Sequence, residues 1–133
     1  MGQTQILFIV LSVIIVGIAV AVGITQFGEN AVDANKNAVL LDCQQIVARA
    51  QQWYRKPASL GGGGGKFTGC SLDALGVAQT NDNTNATGFA LAVNDSVTIT
   101  VTGQGRENKK DGTPVQVQMV YDATTGTTTT TFP

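Results

Sequence analysis

The chain has 133 residues, 13% of them charged, and a net charge of −1. That length holds an apolar anchor and one domain of roughly 80 residues, and it excludes a multi-domain enzyme. Acids and bases are mixed, with no basic stripe of the kind that tracks phosphates, so no nucleic-acid partner is expected and Lys109 and Lys110 are assigned to a solvated loop.

The first charged side chain is Glu29 and the first basic one is Lys36; ahead of them, Ile6 to Ile24 is almost unbroken hydrocarbon. About 19 residues at 1.5 Å per residue just cross a bilayer core of roughly 30 Å. Ser12, Gly17 and Gly23 interrupt the run, and a serine hydroxyl can bond back to a helix carbonyl, so none of them blocks insertion. The segment therefore reads as a membrane anchor. A secretory signal peptide fits poorly, because such leaders open with a basic region and nothing is basic before Lys36. Met1 to Gln5 also lacks the Lys or Arg that orients a membrane segment. Either the orienting charges sat on a removed leader, or something other than lipid holds the segment.

Beyond Ile24, the residues Phe27, Ala31, Ala34, Ala38, Leu41, Val47, Ala50 and Trp53 recur at about three or four, with Asp33, Lys36, Asn37, Asp42, Gln44 and Arg49 between them. That spacing predicts an amphipathic continuation of the same helix, with those residues as its buried stripe. Arg49, Arg55 and Lys56 suit the C-terminal end of the macrodipole, and Pro57 with the following glycines stops the helix. One helix of about 50 residues is expected, spanning roughly 75 to 80 Å. It is apolar all round over residues 1–26 and striped over residues 27–56.

Residues 57–87 show no periodicity and read as a surface loop containing Gly61 to Gly65 and the polar cluster Gln79 to Asn85. Five glycines before Lys66 do not make a phosphate cradle. The Walker pattern needs a glycine where Leu60 stands and a hydroxyl where Phe67 stands.

The two cysteines are Cys43 and Cys70. On an exported segment in an oxidising space such a pair is expected to form a disulfide, which stabilises a small domain by roughly 3 to 4 kcal/mol. A metal site would need more ligands, and the chain has no histidine.

Residues 88–133 alternate with period two. Phe89, Leu91 and Val93 share one strand face, Val97, Ile99 and Val101 another, and Val115, Val117, Met119 and Tyr121 a third, while Thr127 to Phe132 reads as a fourth strand. Asn94 and Asp95 make a short turn, Gly103 to Pro114 a longer polar loop, and Asp122 to Gly126 another turn. The strands form an antiparallel meander whose apolar face needs a cover, and the striped half of the helix is available. The expected class is α+β: a long N-terminal helix packed on a C-terminal four-stranded antiparallel sheet, with residues 27–133 forming one globular domain.

No catalytic set emerges, and no metal or cofactor is expected. The acids are scattered, Asp111 and Asp122 lack the clustered oxygens that calcium takes, and the threonines of Thr98 to Thr102 and Thr124 to Thr131 suit exposed strand faces. The sequons at Asn85 and Asn94 are candidate glycosylation sites.

An apolar N-terminal helix running unbroken into an amphipathic one, then a variable loop, then a four-stranded antiparallel sheet, resembles a type IV pilin or one of its pseudopilin relatives. The resemblance covers the layout of the whole chain, while its sequence signature lies in about the first 25 residues. It implies that a prepilin peptidase cuts a short basic leader after a glycine, leaving Met1 as a methylated mature end. Gln5 stands where most pilins carry a glutamate that contacts the N-terminal amine of a neighbour, and Val22 where many carry a proline. Gln5 can still accept from that amine, without the charge assistance that roughly doubles such a bond. Gly17 and Gly23 can loosen the helix instead, each at about 1 kcal/mol relative to alanine, and the pairs Gly17 with Ala21 and Ala19 with Gly23 let helices approach closely.

The resemblance implies a structural role. Subunits wait in the cytoplasmic membrane and are then stacked by assembly machinery into a homopolymer. Ile6, Phe8, Val10, Ile14, Gly17 and Gly23 would lie in the core of an extracellular filament. Two alternatives are a pseudopilin or minor pilin within a secretion or DNA-uptake machine, and a single-pass anchor presenting a small binding domain.

Overall fold

A computed structural model of the chain describes residues 2–77 and 86–133. It is α+β, with one long helix, α1 (Gly2–Arg55), packed on a four-stranded antiparallel sheet. The strands are β1 (Ala86–Val93), β2 (Thr98–Asn108), β3 (Pro114–Asp122) and β4 (Thr127–Thr131), hydrogen-bonded in the order β1-β2-β3-β4. The chain divides into two compact units, Met1–Ala31 and Val32–Pro133.

In the second unit, period-two alternation places Ile99 and Val101 of β2 and Val115, Val117, Met119 and Tyr121 of β3 on the buried face. The helix answers with Val39, Cys43, Ile46, Val47 and Ala50, spaced at four, three, one and three so that they lie along one side. Phe67, from the segment after the helix, fills the space between helix and sheet. Its ring centroid lies 4.7 Å from that of Tyr54 and, edge to face, 6.0 Å from that of Tyr121. Burying each such aliphatic or aromatic side chain contributes about 1.5–3 kcal/mol, which is what holds helix and sheet together.

The buried side of the helix differs from the expected stripe. Of the residues in that stripe only Val47 and Ala50 are buried; Leu41 is 60% exposed and Phe27 78% exposed, while Ala31 and Ala34 also face outward. Two glycines in β2 explain the difference. A Cβ on Gly103 would lie 2.7 Å from Val39 Cγ1, 2.9 Å from Cys43 Sγ and 2.9 Å from Phe89 Cε1. At Gly105 the Asn35 side chain occupies the same kind of space, its Oδ1 accepting a hydrogen bond from the Glu107 N–H at 3.3 Å. The helix thus lies against bare backbone, and only the side carrying Asn35, Val39 and Cys43 fits that hollow.

Two further expectations are corrected. Gly103 does not begin a loop: β2 runs on to Asn108, paired with β3 as far as Gln104↔Gln116 and again at Asn108↔Pro114, with an irregularity between. The glycine run is not a free surface loop either. The N–H groups of Gly63, Gly64 and Gly65 donate to the carbonyls of Trp53, Lys56 and Tyr54 at 2.8 to 2.9 Å, closing the C-terminal end of the helix. A Cβ on Gly63 would run into Trp53 Cζ3 at 2.6 Å, so the cap needs glycine there.

Candidate assembly surface

In the first unit, every large side chain from Ile6 to Ile24 is 50–69% exposed, all round the helix. By length and composition this helix can cross a membrane, and among the described residues none of its most apolar window is buried. Exposed apolar surfaces of this extent are characteristic of protein-binding or membrane-facing segments. Two hydroxyls of this helix bond back to it: Ser12 Oγ donates to the Phe8 carbonyl at 2.7 Å and Thr25 Oγ1 to the Ala21 carbonyl at 3.0 Å.

Ile6, Phe8, Val10 and Ile14 sit on this surface among the exposed side chains. Among the described residues, nothing lies within 4 Å of the position a Cβ would take on Gly17 or Gly23. They form open notches where another backbone can come close. Gln5 is exposed within the first turns of α1, and Met1 lies outside the described residues.

Cys43 and Cys70 both join the core of the second unit, where they stand as free thiols. The expected disulfide is absent from this structure. Burial, with Asp42 adding a smaller repulsion, pushes the Cys43 thiol up to about 12, and burial also raises Cys70. Both are held as the neutral thiol, the unreactive form for disulfide exchange.

Asn94 is exposed, but its Nδ2 donates to Thr100 Oγ1 at 2.8 Å, a bond that a glycan would displace; Asn85 lies outside the described residues. Of the two acids weighed for calcium, Asp122 accepts from the Thr124 N–H at 2.8 Å and Asp111 sits in a turn. Thr113 donates to it from both hydroxyl and backbone, and these bonds hold its carboxyl below the usual range.

Sequence reasoning missed a second feature, a groove of about 450 Å³ lined by Arg49, Gln52, Trp53 and Lys56 of the helix and by Ala74 and Leu75. Arg49 Nη1 donates to the Leu75 carbonyl at 3.3 Å and the Gly76 carbonyl at 3.4 Å, tying the 71–76 turn to the helix. The spacing of Arg49, Trp53 and Lys56 at four and three is the available signal, but the same spacing also fits Trp53 to a buried stripe.

Comparison with family models, with curated proteins and with solved structures gives no match.

Proposed function

We propose that this chain is the structural subunit of an extracellular helical filament of the type IV pilus kind, polymerising through its apolar N-terminal helix. The observation that carries the reading is the all-round exposure of Ile6 to Ile24 on a helix whose Ser12 and Thr25 hydroxyls bond back to its own carbonyls. Such a rod has only two compatible surroundings, lipid and like helices, and passing from one to the other keeps it dry. The second unit supports the reading from the other side, because its core is complete without the first 31 residues. It can therefore face water before and after assembly.

On this reading the subunit is held in the cytoplasmic membrane before assembly, and its partners are identical copies and the machinery that stacks them. A single-pass anchor presenting the second unit remains the competing reading, since the helix is long and apolar enough to span a bilayer. Electron microscopy of material sheared from the cell surface separates the two. Long filaments composed mainly of this chain support the proposal, and a detergent-soluble monomer that never polymerises refutes it.

A further inference from the structure

Charge is segregated along α1 and the segment that follows it. Glu29, Asp33 and Asp42 fall in one stretch with Lys36 among them, whereas from Cys43 to Leu72 the sequence holds Arg49, Arg55, Lys56 and Lys66 and no acid. Arg49 and Lys56 line the same groove, with Trp53 between them in sequence. The Arg49 guanidinium is fixed by Nη1 to two backbone carbonyls. Arg49 is exposed, and its planar guanidinium carries five N–H donors, more than these two bonds use, so it can also take a carboxylate. Glu29 and Asp33 are both exposed and, four residues apart, project from one side of the helix.

We infer that the Arg49–Lys56 groove receives Glu29 and Asp33 of a second copy of this chain. The inference rests on the filament reading and specifies its register. Parallel helices packed only by hydrocarbon can slide along one another, since apolar contact is non-directional. Placing an acidic stretch against a basic one fixes the slide, because a wrong offset sets like charges together. The offset follows from helix geometry: Asp33 reaches Arg49 of the neighbour when the copies are displaced by about 24 Å along the axis, and Lys56 at about 35 Å. Neighbouring copies in this contact are thus displaced by a distance within that range.

Charge reversal tests the contact in cells making the full chain. Lys56→Glu and Asp33→Lys each lower the yield of sheared filaments by about tenfold or more at low salt, and the double variant recovers most of it. Both residues are exposed and outside the core, and unchanged thermal unfolding of each variant verifies that the fold is kept. Single variants that assemble like the parent overturn the contact and leave the filament reading intact, and so does a double variant no better than the singles. A parent chain that forms no filament overturns both. Helical reconstruction provides an independent check: it is expected to place Asp33 of one copy beside Arg49 or Lys56 of another, and a map that separates them by more than a side chain's reach overturns the inference.

Discussion

Replacing Gly103 by alanine adds one methyl group at the point where helix and sheet come closest. That methyl would lie 2.7 Å from Val39 Cγ1, 2.9 Å from Cys43 Sγ and 2.9 Å from Phe89 Cε1, three contacts shorter than carbon and sulfur tolerate. Val39 and Cys43 show no exposure and Phe89 is 6% exposed, so none can swing into solvent to relieve the crowding. The helix must lift from β2 or the side chains must leave their rotamers, a change that costs about 2–3 kcal/mol in a filled core. For a unit of this size that lowers the melting temperature by roughly 10–20 °C. The assay is thermal unfolding of the full chain followed by the emission of Trp53, the one tryptophan present. Gly112→Ala is the control for backbone strain: nothing lies within 4 Å of the position a Cβ would take there, and its φ of 85° makes a modest loss expected without any core crowding. If Gly103→Ala melts within about 2 °C of the parent, the close approach is not what seats the helix, and the account of its buried side fails.

Placing arginine at Ile14, midway along the exposed apolar run, is expected to abolish filament assembly, since a charge there costs about 3 kcal/mol or more in lipid and finds no partner among like apolar helices; normal filament yield would contradict the proposed function. Gly63→Ala should free the capped end of α1 and lower stability by about 1–3 kcal/mol, read as a lower midpoint in urea at unchanged slope. With both cysteines free, a reducing agent should leave the melting temperature unchanged, and a fall of several degrees would establish a bridge after all. The raised pKa of Cys43 also carries a pH signature. Its folded value of about 12 stands above the ordinary 9, so between those limits the unfolded chain has lost a proton that the folded chain keeps, and stability falls as pH rises. Cys43→Ala should flatten that fall, and an identical alkaline slope in the variant would show that the thiol is not desolvated as described.

The sequence determined what composition and period can express. A run from Ile6 to Ile24 without charge must be dry wherever it lies, the alternation of Val115, Val117, Met119 and Tyr121 requires a one-faced strand, and Pro57 ends the helix before it. Long elements of fixed period leave a strong local trace, so the α+β class and the meander were legible without coordinates. Which side of the helix meets the sheet was not. Two rows of apolar or small residues, one through Leu41 and one through Val39 and Cys43, both recur at three and four, and periodicity cannot choose between them. The choice lies in Gly103 and Gly105, far downstream in sequence, where missing side chains create a hollow that only one row fills. The groove beside Arg49 and the capping of the helix by Gly63, Gly64 and Gly65 were hidden for the same reason. Each depends on groups brought together from separate parts of the chain, and contact across such separations is a property of packing that local pattern does not encode.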